Sequence, residues 1–540
     1  MRFRSFVLAC AFACAPALAT AQPGGIDQNR ADRAPPRAPQ TGPALPRQTG
    51  RPDVATPQSG ATAAPLAAVD VQGSTLPPAR IAAVMQPLIG RPLDKATATA
   101  AAEALSALYA KSDVALYTIQ APQQDLSGGR LVLQAIEGRV AQVAIFGEVK
   151  TRQTPLVQAY AEKLTPERPL RRSTLERQLS LIGDIPGMVA TPQLLQGPAP
   201  GDVVLGLGLA PRRTDVMLTF INRGTPQLGR YQVQADFSAY GLLRAGDATK
   251  FTVSVPTEIE RFQYYALTHS QALGTDGLRA QASAGYLRTR PEGVGGSGDA
   301  KLASFQLSYP LIRSYEKNLY LTGAVDGLNS SNAQFGRVAA SEKVRAVRGA
   351  AAYTLSQPKR AILASATASY GSEDLGGAAL PGTADDRFRK LNLRGGYDQA
   401  IGERFVVRTK AIAQISPDRV PTSELISLGG DDFGRAFTQS TLMGDEGVAG
   451  SLELAVRPGF APAPLAGSEI YGFADKGRVT IAPRFGFARQ HADLGSVGLG
   501  VRAVWRQKTV LGLEGAYGAD APSAATKRAW RLGVSFRTLR

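Results

Sequence analysis

Gly498-Leu499-Gly500-Val501-Arg502-Ala503-Val504-Trp505 alternates between two kinds of side chain, with an apolar residue at every second position. Because a β-strand points successive side chains to opposite faces of a sheet, this segment has one apolar face. Arg230–Phe237 alternates in the same way, and Leu278–Ser283 places Arg279, Gln281 and Ser283 on one face. Segments of roughly ten residues with this alternation, separated by turn residues, are typical of strands in a transmembrane barrel.

Alternating segments of this kind recur from 212 to 540. A sheet this long must hide its apolar face and its edges, and closure into a barrel within a membrane does both. We therefore predict a β-rich fold whose main part is an antiparallel transmembrane β-barrel of about sixteen strands. Leu452 and Leu454 are expected to face lipid, with Ser451 and Glu453 facing the lumen. Asn329–Asn332 is predicted to be a turn.

The longest interval between predicted strands runs from Ser416 to Glu446. Loops of this length inside a compact domain are uncommon and usually functional. The adjacent acids Asp431 and Asp432 lie in it and are expected to be solvated. This loop is therefore the first place to look for a functional site.

The N-terminus predicts export. Arg2 and Arg4 precede a short apolar run, and Ala19-Thr20-Ala21 offers a cleavage site, so 1–21 has the form of a signal peptide. The apolar run is too short to span a membrane as a helix. Both cysteines, Cys10 and Cys14, lie inside this segment. The mature chain is therefore expected to contain no disulfide, no catalytic thiol and no cysteine-bound metal.

Composition excludes several classes of protein. The formal net charge of +17 comes without a basic helix or an aromatic-basic motif, which argues against a nucleic-acid partner. The two histidines, His269 and His491, are too few for a histidine-based catalytic or metal site. Gly206-Leu207-Gly208 and Gly295–Gly298 lack the helix and lysine of a phosphate-binding loop. We expect no enzyme activity, no metal and no cofactor.

The segment 22–66 is rich in Pro, Gly, Gln, Thr and Ala, a composition that cannot bury a core. It is expected to be a linker. Within it Ile26–Arg33 could form a short helix. Two alternatives remain open: a flexible periplasmic tether, or a plug helix that enters the barrel.

Mixed helix and strand patterns follow the linker and form two similar blocks, predicted as modules at 67–140 and 141–211. Each block has the order β-α-α-β-β. In the first block we predict helices at 79–88 and 93–110 and strands at 115–120 and 130–136. In the second we predict helices at 154–164 and 173–181 and strands at 140–146, 190–195 and 202–209.

Short motifs in the two modules carry a family resemblance. Ala121–Gly129 and Glu137-Gly138-Arg139-Val140 in the first, with Leu175–Leu179 and Asp184–Gly187 in the second, resemble polypeptide-transport-associated (POTRA) domains. The chain is similar to the TpsB transporters of two-partner secretion, the haemolysin secretion/activation type. The resemblance implies that these motifs bind the exported client. The residues concerned are Gln123, Asp125, Gly129, Glu137, Gly138, Leu175, Arg177, Asp184, Pro186 and Gly187.

Two barrel motifs extend the resemblance. Gly434-Arg435-Ala436-Phe437 is similar to the tip of the family's long loop, usually Val-Arg-Gly-Tyr or Val-Arg-Gly-Phe. Phe473-Ala474-Asp475-Lys476-Gly477 is similar to the family's F-x-D-x-G strand motif. The resemblance implies that the loop folds into the lumen, that Arg435 pairs with Asp475, and that Phe437, Phe473 and Gly477 belong to this lock. Gly434 and Ala436 depart from the usual tip, which alters the backbone expected there.

The resemblance implies an outer-membrane pore with its POTRA domains in the periplasm. Its partners would be a large β-helical exoprotein of the adhesin or cytolysin type, and outer-membrane lipid and lipopolysaccharide. The client would be recognised unfolded in the periplasm and moved to the cell surface, without a nucleotide. The alternatives are a barrel insertase of the same superfamily, a passive porin, which leaves the modules unexplained, and an enzyme barrel, which lacks a histidine-based site.

Overall fold

The computed structural model describes residues 53–54, 64–148, 150–293, 295–334, 337–379, 382–459, 462–484, 487–521 and 530–539. The predicted signal peptide and the candidate helix Ile26–Arg33 lie outside these residues, so both remain predictions. The chain divides into two compact units, one ending at Pro211 and the other containing Arg212–Arg540. No helix among the described residues has the length and apolar character needed to cross a membrane.

The first module contains β1 (Asp53–Val54), β2 (Ala68–Gln72), α1 (Pro78–Met85), α2 (Lys95–Ala110), β3 (Tyr117–Ala121) and β4 (Arg130–Glu137). Its sheet order is β1-β3-β4-β2. The predicted helix at 79–88 divides into α1 and a 3-10 turn at Gln86–Leu88, because Pro87 lacks an N–H to continue the helix. Asp94 caps α2 by accepting a 2.8 Å hydrogen bond from the Thr97 amide.

The second module repeats the β-α-α-β-β order with β5 (Arg139–Gly147), α3 (Thr154–Glu162), α4 (Arg172–Gly183), β6 (Met188–Gln196) and β7 (Asp202–Pro211). Its sheet order is β5-β7-β6, with β5 parallel and β6 antiparallel to β7. Only Gly138 separates β4 from β5, so the two sheets follow each other directly along the chain.

Hydrogen bonds join the two modules at the start of α4. Arg171, which precedes this helix, provides no side-chain cap. Asp113 of the first module supplies one, accepting bonds from the Ser173 amide at 2.9 Å and the Ser173 hydroxyl at 2.8 Å. The Ala115 amide also donates to the Leu170 carbonyl at 2.8 Å. A helix of the second module is therefore capped by the first.

The second unit is a closed antiparallel barrel of sixteen strands, in which the first strand pairs with the last. This confirms the predicted fold class. The strands of this unit are β8 (Thr214–Ile221), β9 (Gln232–Tyr240), β10 (Ala248–Pro256), β11 (Phe262–Ala272), β12 (Arg279–Thr289), β13 (Gly296–Arg313), β14 (Lys317–Gln334), β15 (Arg337–Gln357), β16 (Arg360–Ser372), β17 (Arg387–Ile401), β18 (Phe405–Ile415), β19 (Ile426–Leu428), β20 (Leu442–Gly444), β21 (Glu446–Val456), β22 (Glu469–Ile481), β23 (Gln490–Trp505), β24 (Thr509–Asp520) and β25 (Trp530–Leu539). All but β19 and β20 belong to the barrel.

Side chains along the barrel strands alternate between an exposed apolar face and a lumen face. On β21, Leu452 and Leu454 are 47% and 57% exposed, whereas Glu453 is 3% exposed. The predicted register of this strand is therefore confirmed. Outward apolar and inward polar residues are the pattern of a membrane barrel, because lipid surrounds the outer face and water fills the lumen.

The predicted turn at Asn329–Asn332 is wrong. These residues lie inside β14, where Asn329 pairs with Lys301 on one side and Lys343 on the other. Cross-strand hydrogen bonds satisfy the backbone here, so polar side chains do not end the strand. The long hairpins of β13, β14 and β15 contain residues that the sequence alone assigned to turns.

Candidate functional site: the loop tip and the barrel wall

The long loop connects β18 to β21 and is partly ordered into β19 and β20, which pair with each other. We call Phe433–Phe437 the tip, and strands β21 to β24 the tip wall. Phe433, Arg435 and Phe437 are all buried. The tip therefore lies against the inner wall, as expected of a loop folded into the lumen.

Asp475 of β22 meets the tip through backbone amides. The Gly434 amide donates to Asp475 Oδ1 at 2.6 Å, and the Arg435 amide donates to Oδ2 at 3.4 Å. The neighbouring Ala436 amide donates to the Ser496 hydroxyl at 3.1 Å. One carboxylate thus holds two consecutive amides of the tip, an arrangement in which the charge strengthens each hydrogen bond.

The Arg435 guanidinium does not pair with Asp475, so the expected side-chain pair is wrong. Its Nη1 lies 3.2 Å from Glu453 Oε2 and 3.1 Å from Glu514 Oε2. Its Cζ lies 4.2 Å from the centre of the Phe473 ring, at cation–π distance. The physical reason is that both Asp475 oxygens already accept from the tip amides, while the longer glutamate side chains of β21 and β24 reach the guanidinium.

Gly434 explains the altered tip sequence. Its φ of +71° lies in the left-handed region, which residues with a Cβ rarely adopt. A Cβ at this position would also lie 2.6 Å from Leu494 Cδ1. The tip of this chain therefore depends on glycine before Arg435, where the family pattern has valine.

Glycines on the tip wall make room for the loop and its aromatic residues. A Cβ at Gly477 would lie 2.6 Å from Leu428 of the loop, and one at Gly518 would lie 2.9 Å from the Phe437 ring. On β23, a Cβ at Gly498 would lie 2.6 Å from the Phe473 ring. Of the residues that the resemblance assigned to the lock, Phe473 and Gly477 flank Asp475 on β22, and Phe437 of the tip packs at Gly518 of β24.

Two cations that the sequence analysis did not single out, Arg223 and Lys410, complete the contact. Arg223 follows β8 and donates to the Arg435 carbonyl at 3.0 Å. The same guanidinium lies 2.6 Å from both Asp431 and Glu514. Asp432 pairs with Lys410 of β18 at 2.9 Å. The expectation that Asp431 and Asp432 are only solvated is therefore wrong, because the loop brings them to Arg223 and Lys410 of the barrel.

The glutamates of the tip wall are themselves paired with arginines. Arg502 lies 2.6 Å from Glu453, and Arg408 lies 3.0 Å from Glu453 and 2.8 Å from Glu469. The Tyr471 hydroxyl donates to Glu514 at 2.8 Å. Buried charges are tolerated only when they are paired and hydrogen-bonded. This network therefore allows buried side-chain ion pairs to hold the tip.

In the first module the motif residues mostly hold turns and the core. Asp125 accepts from the Ser127 amide at 2.9 Å, and this hydrogen bond lowers the pKa of Asp125. Gly129 has a φ of +67° and its carbonyl accepts from the Ala67 amide at 2.7 Å. Gln123 is exposed, whereas the adjacent Gln124 exchanges two side-chain hydrogen bonds with the Val132 backbone.

Glu137 and Gly138 lie where the first module meets the second. Glu137 accepts a 2.6 Å hydrogen bond from the Tyr109 hydroxyl and a 2.8 Å bond from the Thr75 amide. Burial, and then this bond to Glu137, raises the pKa of Tyr109. Gly138 contacts Leu116 so closely that a Cβ would lie 2.6 Å from its Cβ.

The second-module motif lies on and after α4. Leu175 is buried, and Arg177 lies on the same helix. Asp184 ends α4, the Pro186 carbonyl accepts from the Gln153 side chain at 3.3 Å, and Gly187 has a φ of +69°. These contacts account for the residues within the fold, and their proposed role in client binding stays a prediction.

Among the described residues, no group of three or more histidine, cysteine, aspartate or glutamate side chains is arranged to hold a metal ion. A closed barrel with an inward loop and N-terminal β-α-α-β-β modules defines a POTRA-bearing barrel transporter of the TpsB type. Such a transporter fits the outer membrane.

The chain belongs to the haemolysin secretion/activation protein family ShlB/FhaC/HecB, whose model matches residues 209–503. A ShlB-type POTRA domain matches residues 64–138. No curated protein matches the chain.

Solved structures share the fold. CdiB from Escherichia coli has a TM-score of 0.70 at 17% identity, covering 89% of this chain and 91% of that one. CdiB from Acinetobacter baumannii has a TM-score of 0.61 at 16% identity, covering 95% and 96%. BamA from Haemophilus ducreyi lacking POTRA domains 1–3 has a TM-score of 0.51 at 12% identity, covering 88% and 100%.

Proposed function

We propose that this protein moves an unfolded exoprotein from the periplasm to the cell surface by two-partner secretion. The observation that carries the proposal is the loop tip, which occupies the lumen and is held there by Asp475, Glu453 and Glu514. A lumen wide enough for a polypeptide would leak when empty, so a protein-secreting barrel needs an internal obstruction that it can release. A loop held by hydrogen bonds and ion pairs satisfies both requirements.

The modules would lie in the periplasm and bind the client through a sheet edge. Strand β6 pairs on one side with β7, and no other described strand covers its second side. Val189 and Leu195 are exposed on it. Such an edge can add an extended client strand through backbone hydrogen bonds, with little dependence on client sequence. Pro192 lacks an N–H, so pairing along β6 would be interrupted in the middle.

The corresponding edge of the first module is already occupied. Strand β1 pairs in parallel with β3, with Asp53 opposite Gln120 and Val54 opposite Ala121. Val54 packs against the core of the module. We therefore assign client binding to the second module rather than to the β3 edge of the first.

The exported client can be identified by comparing proteins released or displayed by cells with and without this chain. We expect one large β-rich protein to disappear from the surface and medium and to be retained or degraded in the periplasm. A cysteine at Leu195 should cross-link to that client during export, whereas one at Gln158, exposed on α3, should not. An unchanged set of surface and released proteins would refute the proposal.

A barrel insertase is the second candidate, because the BamA barrel shares this fold. The same comparison separates the two functions. Loss of an insertase would lower the amounts of several unrelated folded barrels in the outer membrane. Loss of a dedicated exporter would leave those barrels at their normal level.

A further inference from the structure

A second part of the long loop is bound to a different wall of the barrel. We call Val420–Leu425 the stem, and strands β14 to β17 the stem wall. Glu424 of the stem lies 3.0 Å from Arg348 and 2.7 Å from Lys390. Arg348 also pairs with Asp326 at 2.5 Å. The side chains of Glu424, Arg348 and Lys390 are 0% exposed, and that of Asp326 is 2% exposed.

Other stem contacts support the same placement. Glu342 of β15 accepts from the Thr422 amide at 3.1 Å and from the Ser423 hydroxyl at 2.8 Å. Val420 and Leu425 pack among inward apolar residues of the barrel. The stem is thus held by charge, by hydrogen bonds and by apolar packing on one wall.

The C-terminal end of the loop contacts the stem. Asp445 accepts from the Val420 amide at 2.9 Å, from the Ala482 amide at 2.8 Å and from Arg484 at 2.6 Å. The Gln414 side chain donates to the Glu424 and Asp445 carbonyls, both at 2.9 Å. The two ends of the loop are therefore tied to each other as well as to the barrel.

Two consecutive glycines separate the stem and β19 from the tip. Gly429 and Gly430 directly follow β19 and have φ values of +108° and +115°. Hinges are often small residues at the ends of regular elements, because these absorb backbone rotation without steric cost. The tip lies beyond these glycines and the stem lies before them.

We propose that Glu424 is a positioning residue that keeps the stem on its wall while the tip leaves Asp475 and the lumen opens. This inference rests on the proposed function, because it specifies which part of the loop moves during transport. A buried carboxylate between two wall cations cannot leave without separating unlike charges in a place closed to water. The tip can turn about Gly429 and Gly430 without disturbing those charges.

Two engineered cross-links in the full-length chain test the inference. The only native cysteines are Cys10 and Cys14. Ala436→Cys with Ser496→Cys ties the tip to its wall, and Glu342→Cys with Ser423→Cys ties the stem to its wall. Each pair is closed with a short bis-maleimide, and each single cysteine, treated in the same way, is the control. The readouts are channel opening in planar bilayers and client secretion from cells.

We expect the tip cross-link to suppress channel opening by more than about tenfold, and the stem cross-link to leave it within about twofold. A stem cross-link that suppresses opening as strongly as the tip cross-link would overturn the inference, because the whole loop would then have to move. Channel opening is measured without a client. If cells secrete no client but the channel opens in this pattern, the proposed function is refuted. The inference that the stem stays on its wall would still stand.

A single variant and a charge-balanced double variant test Glu424 itself. Glu424→Gln leaves Arg348 and Lys390 facing a single carboxylate and frees the stem to leave its wall together with the tip, so we expect the closed channel to open at least about tenfold more often. Adding Lys390→Met restores the charge balance and should return opening most of the way to normal. Failure of the double variant to recover, when both variants yield folded barrels, would show that Glu424 does not act through this pair.

Discussion

The tip wall and the stem wall hold one loop with opposite arrangements of charge. At the tip wall the barrel supplies the carboxylates Glu453 and Glu514, and the loop supplies Arg435. At the stem wall the barrel supplies the cations Arg348 and Lys390, and the loop supplies Glu424. A loop docked the other way round would place like charges together. The difference therefore specifies one orientation of the loop in the lumen.

The largest expected effect comes from removing the central cation of the stem wall. Arg348→Met leaves Asp326 buried beside Glu424 without their shared partner, and we expect a loss of about 3–5 kcal/mol of folding stability. The measurement is the free energy of unfolding in urea and detergent. Arg360→Met, at an exposed arginine on β16, is the control. Equal stability of the two variants would mean that the stem-wall ions contribute nothing.

At the tip wall the effects should be smaller and non-additive. Arg435→Ala removes the guanidinium, and Asp475→Ala removes the acceptor of two tip amides, so each should weaken tip docking by about 1.5–3 kcal/mol. Both changes detach the same segment, so the double variant should be little worse than either single variant. Channel opening in bilayers and client secretion give the measurement. Additive effects would show that the two residues hold the tip independently.

The aromatic contact between the tip and its wall can be tested without changing any charge. Gly518→Ala would place a methyl group 2.9 Å from the Phe437 ring of the tip and should cost about 1–3 kcal/mol. Gly515→Ala on the same strand is the matched control, because a Cβ there meets nothing within 4 Å. Comparing the urea midpoints of the two variants checks the prediction. Similar midpoints would mean that the Phe437 ring shifts freely.

The smallest effect is expected just outside the stem. Arg419 pairs with Asp385, and both side chains are about one-third exposed. Arg419→Ala should therefore cost only about 0.2–1 kcal/mol, and less at high salt, because water and ions screen the pair. A loss as large as that of Arg348→Met would show that the loop is held mainly from its first residues.

The strand pattern was predictable because alternation is local. Glu453 was placed in the lumen from its apolar neighbours Leu452 and Leu454 alone, and the structure agrees. The pairing of Arg435 was not predictable, since Glu514 lies on another strand and looks like an ordinary lumen residue. Nothing in the sequence around Glu424 signals its partners either, because Arg348 and Lys390 meet it only after the barrel closes.

Gly434 is a residue that the sequence pointed to and that only the tertiary structure explains. The sequence showed that the tip departs from the usual motif, but not what the departure does. A positive φ and the nearby Leu494 supply the reason, and both depend on where the loop meets β23. The sequence motif thus identified the residue, and the packing of the loop against β23 explains why it is a glycine.

The cap that Asp113 gives to α4 makes the two modules thermodynamically interdependent. If the first module unfolds or is deleted, α4 begins with uncapped amides and the second module loses stability although none of its own residues has changed. In the intact chain the two modules should therefore unfold in one cooperative transition rather than two. Loss of export after truncating the first module would accordingly measure damage to the second module as well.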